Sequence, residues 1–508
     1  MIYLGIDLGT TFSLAAHVNS QSVPTLFPDA LDANEFRTPS VVHIGNEGVL
    51  VGNPLERLLE DDPGLAHMRF VKLTMGVGAG VFLDHRRREW RPEALSALIL
   101  RKLLQDVTAF SAEEIGGVVV TVPANFNDAQ RRATFQAAVM AGLRNITLVE
   151  EPVAAATYYG FDSADKDQTL FVYDFGGGTF DATVLQTASD GLYAIATEGH
   201  HDLGGKNIDE AIMGRVADTF QKLYGNNPLS DPVAAMAIRQ FCVDTKLRLA
   251  APGKGQVRKT LLLAGRTLDF SITRTEFEAL AAPFVDRTMT VSERCLQSAG
   301  LSWGMVDKVL LTGGSSLLPL VQRRMAEESN KTADAIISRQ PHQAVAYGAA
   351  IVARSRLAQE AGRGGGNLVP VSAYHLGIRV RDEKGQASVK VLVKRNTPLP
   401  AQATHMFFTH RAEQERMVVE VVQTRELATG DVEENSLGRF SFGPLLKPRL
   451  NYPVRISLAY DQSGLVRVQA RDEDTGQVIN EVLGKNEEGL TDELIEQRGW
   501  VREARVNG

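Results

Sequence analysis

Residues 3–18 read YLGIDLGTTFSLAAHV and residues 170–185 read LFVYDFGGGTFDATVL. Each runs from an apolar stretch through an aspartate and a Gly/Thr turn into a second apolar stretch. Asp7 thereby matches Asp174, and Gly9, Thr10, Thr11 and Phe12 match the turn Gly176, Gly177, Gly178 and Thr179. One such stretch alone is an ordinary β-hairpin. Two in the same frame point to a duplicated unit that grips a phosphate chain from both sides. Glycines let the N–H groups of a tight turn face an anion with no Cβ in the way, and threonine hydroxyls add donors. Aspartates at strand ends suit hydrated Mg²⁺, which keeps several waters and takes few carboxylates. Rival phosphate signatures are missing: no G-x-x-x-x-G-K-[ST] occurs, and TMGVGAGV at 74–81 lacks the spacing of a dinucleotide fingerprint.

Around these hairpins the chain alternates short β-type runs with helical periods, the pattern of an α/β region. Strands are expected at MIYLGI, FSLAAHV, GVVVTVP, TLFVYDF, DATVLQ, LYAIATE and KVLLTGG. A helix is expected in NDAQRRATFQAAVMAG, capped by Asn127 or Asp128 and stopped by Gly142, and another in EPVAAATYYG with Pro152 at its first position. Gly364, Gly365 and Gly366 then break the periodicity. Beyond them SVKVLVKR, THMFFTH, MVVEVVQT, VRISLAY and LVRVQAR, with turns YDQSGL and DEDTGQ, read as an antiparallel β-domain. A short helix capped by Thr491 follows. The expected division is 1–362 for the α/β region, 363–370 for a linker, 371–484 for the β-domain and 485–508 for the terminal helix.

The 508 residues are 44 % hydrophobic and 23 % charged, an ordinary globular balance with room for several cores. A net charge of -7 with no basic block argues against nucleic acid as a partner. Arg86, Arg87 and Arg88 read as a solvated loop. Cys242 and Cys295 are the two cysteines, expected in helices as small buried residues, which supports neither a disulfide framework nor a thiolate metal site. The chain opens directly on a strand pattern, and no apolar run approaches the ~18 residues of a membrane span. The expected setting is the reducing cytoplasm, without a membrane partner.

The ordered set GIDLGTTFS, VVVTVPANFNDAQRRAT, EEPVAAATYYG, VYDFGGGTFDATVL, HDLGGKNID, LLTGGSSLLPLVQ and QAVAYGAAI resembles the nucleotide-binding domain of DnaK-type heat-shock chaperones. The motifs YHLGI, RNTPLP, NSLGRF and GLVRVQARDEDTG resemble that family's peptide-binding β-sandwich, with less identity. The resemblance implies an actin-like, two-lobed ATPase domain followed by an antiparallel β-sandwich domain. It implies slow hydrolysis of ATP to ADP in the interlobe cleft, with Mg²⁺ and K⁺, controlling capture of unfolded or extended peptide by the β-sandwich. A dedicated J-domain co-chaperone and a nucleotide-exchange factor would be further partners. By motif, Thr10 and Thr11 would bind phosphate, Asp7 and Asp174 would anchor hydrated Mg²⁺, and Asp7 and Asp181 would place K⁺. Lys72 in FVKLTMG would face the γ-phosphate and attacking water, Glu151 would orient groups around the metal, and Thr179 would flank the γ-phosphate. The turns around Gly204 and Gly205, and around Gly313, Gly314 and Ser315, with Lys246, would complete the nucleotide contacts. Taken alone, Lys72 is a surface lysine and Glu151 a helix N-terminal acid; as a set they suit phosphoryl transfer, which needs positioning and charge neutralisation. A non-catalytic, nucleotide-sensing adaptor and an actin-fold kinase are the alternative functions.

The sequence departs from the family on the nucleoside side. Val243, Leu247, Ala250, Leu317 and His342 stand where a ribose-binding Glu, an adenine-stacking Arg, a Ser, a second Arg and an Asp are usual, so weaker or less base-selective nucleotide binding is expected. Only Leu368 and Val369 remain of the apolar linker, with Pro370 in its acidic position, and Thr147 and Glu150 replace family residues near the J-domain site. The family's helical lid is expected to be absent, and with it slow peptide exchange. Met417 and His410 fall near the family's peptide cleft, and Met417 equally fits a core position.

Overall fold

The computed structural model describes residues 1–507 except 161–166, 361–366, 382–385, 428–429, 447 and 482–489. Gly364, Gly365 and Gly366, the first half of the expected linker and the start of the terminal segment therefore lie outside the described residues.

The two quoted stretches each form an antiparallel hairpin. Ile2–Asp7 pairs with Phe12–Val18, and Thr169–Phe175 pairs with Phe180–Ala188. Each hairpin sits in a sheet of the same plan. In the first sheet Ile2–Asp7 also runs parallel to Ile115–Val122, which runs parallel to Ile146–Glu150, while Pro24–Leu26 continues the antiparallel side. In the second, Thr169–Phe175 runs parallel to Lys308–Thr312, then Ile336–Ile337, while Gly191–His200 continues the antiparallel side. The internal duplication read from sequence thus extends to strand order and direction. Both central strands are covered from two sides: Leu4 and Ile6 on one face and Gly5 on the other are buried in the first, as are Leu170 and Val172 on one face and Phe171 on the other in the second.

A pair of helices joins the sheets. Glu151–Tyr158 and Ala344–Glu360 contribute Val153, Ala154, Ala344 and Ala349 to one core with Val119 of the first sheet and Leu170, Val172 and Leu310 of the second. Small residues permit the approach: a methyl group on Gly348 would collide with the Ala154 carbonyl, and one on Gly5 with the Ala350 backbone. Asn127 is the cap of Asp128–Met140, in a reciprocal capping box with Gln130, which decides between the two candidates. The helix Glu151–Tyr158 begins one residue earlier than expected, so Pro152 is its second residue, still without an N–H to orphan. Cys242 and Cys295 are free and buried in Pro232–Ala250 and Arg274–Ser298.

Beyond residue 370 all expected strands are present. The four strands Ala387–Val393, His375–Arg381, Met417–Glu426 and Val432–Phe442 form one sheet, and Ala401–Phe408, Pro453–Tyr460, Val466–Asp472 and Val478–Glu481 form another. All their pairings are antiparallel. Leu376, Val419, Val421 and Phe442 of the first share one core with Val454, Ile456, Leu458 and Val468 of the second. Met417 belongs to this core at 8 % exposure, whereas His410 is exposed.

Two readings change, and the expected linker proves to be partly paired. Along its described length Asn367–Val369 is a parallel strand beside Gly191–Tyr193 at the edge of the second sheet. The terminal segment is not a lone helix after the β-region, because Asp492–Glu503 continues into the strand Val506–Asn507, which pairs with Gly48–Val51 of the first region. Arg86 and Arg87 are exposed, but Arg88 is not merely solvated: it pairs with buried Asp84 at 2.8 Å and lies over the rings of Trp90 and Trp500. Each of these features involves a partner far away in sequence, for Arg88 the Trp500 ring beside its local partners Asp84 and Trp90.

Candidate active site

The two duplicated turns meet. A methyl group on Gly177 would collide with the Thr11 hydroxyl, and one on Gly178 would stand 2.6 Å from Thr10 Cγ2. Each turn is braced from behind. Ser40 Oγ donates to the Gly9 carbonyl at 2.9 Å and Ser40 N to the Thr11 carbonyl at 2.8 Å. On the other side Leu203 N donates to Gly178 O, Gly205 N to Gly176 O and Lys206 N to Gly177 O, at 3.1, 3.0 and 2.8 Å. Ser315 Oγ donates to Gly176 O at 2.8 Å. The sequence motifs around Gly204, Gly205 and Ser315 therefore buttress the glycine loop. Gly313 has φ of 78°, a left-handed conformation, and a Cβ there would stand 2.7 Å from Asp174 Oδ1. Gly314 lies against the His342 ring, and the Arg37 guanidinium lies 5.0 Å from the Phe12 ring.

The charged residues converge behind these turns. Lys72 Nζ donates to Glu151 Oε1 at 2.5 Å, and both side chains are buried. Lys72 sits in the single turn Val71–Thr74, entered through Phe70 at φ of 57°, while Glu151 opens its helix. Asp174 and Asp181 are Cα partners on adjacent strands, both nearly inaccessible. Asp7 accepts from Thr121 Oγ1 at 3.2 Å, and Asp181 accepts from Asn125 N at 3.2 Å. The cluster thus sets four carboxylates, Asp7, Glu151, Asp174 and Asp181, against one ammonium.

The consequence is electrostatic. Burial opposes the charge on Lys72, but Glu151 and then Asp7 outweigh it and raise its pKa. Burial, reinforced by Glu151, pushes Asp7 up to about 7 although part of its surface reaches solvent. The same two causes push Asp181 up to about 8. Asp174 is raised well above the carboxylate range by burial, Glu151, Asp181 and Asp7. Among the described residues no group of three or more His, Cys, Asp or Glu forms a direct metal-ligand set. The excess of buried negative charge nevertheless fits a cation that reaches the carboxylates largely through its own water.

A family model described as Hsp70 protein matches residues 66–505. The chain belongs to the Hsp70 family. It is 33 % identical over 481 residues to a protein named chaperone protein DnaK from Thermotoga neapolitana, covering 93 % of this chain and 78 % of that one. It is 32 % identical over 499 residues to the protein of the same name from Thermotoga petrophila, covering 97 % and 82 %.

Several positions of this Hsp70 chain were not singled out in the sequence. Thr121 holds Asp7, and Asp209 holds Lys246 Nζ at 2.6 Å while Lys246 also donates to Gly205 O at 3.1 Å. Lys246 is thereby a brace of the second-lobe turn. Asn125 is fully buried beside Asp181, and among the described residues neither atom of its side-chain amide has a hydrogen-bond partner. Its place in VPANFND, two residues before a helix cap, gave no hint of that burial. Among the residues that depart from the family, Leu247 is 59 % exposed on its helix and Glu150 is buried against Arg131 at 2.8 Å.

Proposed function

We propose that Lys72, Glu151, Asp174 and Thr179 form the hydrolytic centre of an ATP-dependent, DnaK-type chaperone, with an actin-like two-lobed ATPase region over 1–362 and a β-sandwich peptide-binding region over 371–484. Membership of the Hsp70 family makes the chain an ATPase and a chaperone; the assignment of residues is our own. The observation that carries it is the contact of the two Gly/Thr turns over a buried cluster of four carboxylates and one lysine.

Gly9, Thr10, Thr11 and Phe12 would hold one side of the phosphate chain, and Gly176, Gly177, Gly178 and Thr179 the other. Asp7 and Asp174 would hold Mg²⁺ through its waters, and Asp7 and Asp181 would place K⁺. Bound Mg²⁺ supplies charge neutralisation on the phosphates. Lys72 contributes a fixed positive charge, kept protonated by Glu151 and Asp7 and held by the 2.5 Å bond to Glu151. A charge already oriented in a buried site costs no reorganisation when the transferred phosphoryl gains charge. Gly204, Gly205, Gly313, Gly314, Ser315 and Lys246 keep the second turn in register. Unfolded or extended peptide would bind the β-sandwich, with a J-domain co-chaperone and an exchange factor as further partners. Among the described residues no helix is long and apolar enough to cross a membrane, and we place the protein in the cytoplasm with its DnaK relatives.

The test follows ATP turnover and release of a labelled unfolded peptide together, in the parent and in Lys72→Met. Turnover lost in the variant, with ATP-triggered release in the parent, supports the assignment. Equal turnover in the two proteins overturns it.

A further inference from the structure

The segment 121–125 begins in the strand Ile115–Val122 of the first sheet and touches both acids to which K⁺ is assigned above. At its start Thr121 Oγ1 donates to Asp7 Oδ1 at 3.2 Å, and at its end Asn125 N donates to Asp181 Oδ1 at 3.2 Å. The Asn125 side chain then meets the second sheet at Gly199, the Cα partner of Asp181 on the neighbouring strand. A Cβ on Gly199 would stand 2.0 Å from Asn125 Nδ2, 2.6 Å from Asn125 Cγ and 2.8 Å from Asp181 Oδ1. The amide and the carboxyl therefore share one small space, which glycine at 199 leaves open.

Both groups are hidden from solvent, Asn125 at 0 % exposure and Asp181 at 1 %. A side-chain amide offers two donor hydrogens and an acceptor oxygen, yet among the described residues neither Nδ2 nor Oδ1 of Asn125 has a partner. Buried polar groups in folded proteins are satisfied by protein, by water or by an ion. No hydrogen bond fixes this amide, so either of its ends can face the carboxyl. Charge decides what fills the space. The two cations that Asp181 feels, Lys72 and Arg425, are already bound to Glu151 and Glu433. A water would satisfy the amide but leave the carboxylate without a counter-charge, whereas a cation held by Asn125 Oδ1 and Asp181 supplies both needs. Mg²⁺ suits such a place poorly, because it gives up its water reluctantly. K⁺ exchanges its water for carbonyl oxygens, as in carbonyl-lined filters. Among the described residues the acids alone form no ligand set, so neutral oxygens are what a dehydrated ion at Asp181 requires.

We infer that Asn125 Oδ1 is a ligand of the cation at Asp181, and that this amide makes the place one for a dehydrated monovalent ion rather than for hydrated Mg²⁺. The inference rests on the assignment of K⁺ to Asp181 proposed above and adds to it a residue from the first sheet.

The test uses the full chain, with Tl⁺ as the probe for K⁺. Thallium acetate is titrated calorimetrically into the parent, Asn125→Leu and Asp181→Asn, each in choline buffer with MgADP. Leucine keeps the volume of asparagine and offers no oxygen. The parent should bind Tl⁺, and Asn125→Leu should bind it about 10–100-fold more weakly. Equal affinity in the parent and Asn125→Leu, with loss in Asp181→Asn, overturns the role of Asn125 and leaves K⁺ at Asp181 standing. A parent that binds no Tl⁺, or binding that Asp181→Asn does not alter, overturns the K⁺ assignment and this inference with it. If Asn125→Leu does not fold, crystals of the parent grown in thallium acetate decide. An anomalous peak at bonding distance from both Asn125 Oδ1 and Asp181 supports the inference; a peak at Asp181 alone, a water between the two groups, or no peak overturns it.

Discussion

Asp181 is a carboxyl whose charge the fold tolerates poorly, and Asp181→Asn measures how much. Its side chain is 1 % exposed, its neighbours include Glu151, and burial then Glu151 raise it from 3.8 to about 8. At neutral pH the nucleotide-free folded chain therefore holds a proton there that the unfolded chain has released. Stability follows the difference in bound protons, so this group's contribution is undiminished near pH 4 and is lost progressively as pH rises to about 8. Raising a carboxyl from 3.8 to about 8 corresponds to about 6 kcal/mol at full ionisation, an upper bound that relaxation and entering water reduce to roughly 2–3 kcal/mol. Asparagine keeps the acceptor for Asn125 N and cannot ionise. Thermal unfolding in metal-free, nucleotide-free buffer should show parent and variant nearly equal at pH 5. At pH 8 the variant should be more stable by on the order of 5 °C, with a shallower pH dependence. Asp7, raised to about 7 by the same causes, leaves part of the slope in place. A variant that is less stable than the parent at pH 8, or that keeps the parent's full slope, would refute the idea of an uncompensated acidic cluster.

Lys72→Met should lower ATP turnover by about 10²–10³-fold, the range for removing one preorganised charge contact, with circular dichroism reporting an intact fold. Gly177→Ala places a methyl group against the Thr11 hydroxyl, so calorimetry should show weakened ATP binding, and unchanged affinity would contradict the meeting of the turns. Met417→Ala should cost the β-region about 2–5 kcal/mol in unfolding measurements, because Met417 fills its core, while leaving peptide affinity per folded molecule unchanged. Asp128→Ala removes the acceptor for Val466 N and the partner of Arg132, so limited proteolysis should reach the turn Asp461–Leu465 sooner than in the parent.

The sequence by itself determined what depends on near neighbours and on repeated pattern. The matching frames of Asp7 and Asp174, with their Gly/Thr turns, announced two hairpins, and the apolar runs around them announced covered strands. A cap at Asn127 or Asp128 and the cap at Thr491 are local hydrogen-bond chemistry, readable within four residues, although only the structure chose Asn127. The run LVRVQAR was legible as a strand, and the structure gives it the alternating burial of a half-covered one. The family motifs pointed to Lys72 and Glu151, residues that composition alone would leave on the surface.

Tertiary structure decided what depends on partners remote in sequence. Lys72 and Glu151 lie 79 residues apart, and only the fold turns them into a buried ion pair. Thr121, Asn125 and Asp209 lie inside the quoted motifs but nothing there marks their roles, because a side chain becomes part of a site by what is packed against it. Asn367–Val369 is too short to declare itself a strand without the sheet edge that receives it, and Arg88 gave no sign of Trp500. The segment 490–507 shows the limit most plainly: its four buried apolar residues look like one weakly amphipathic helix and a tail until the first region supplies the groove and strand that hide them from water. Local geometry is written in adjacent residues, whereas desolvation and charge compensation belong to contacts that exist only after the chain has closed on itself.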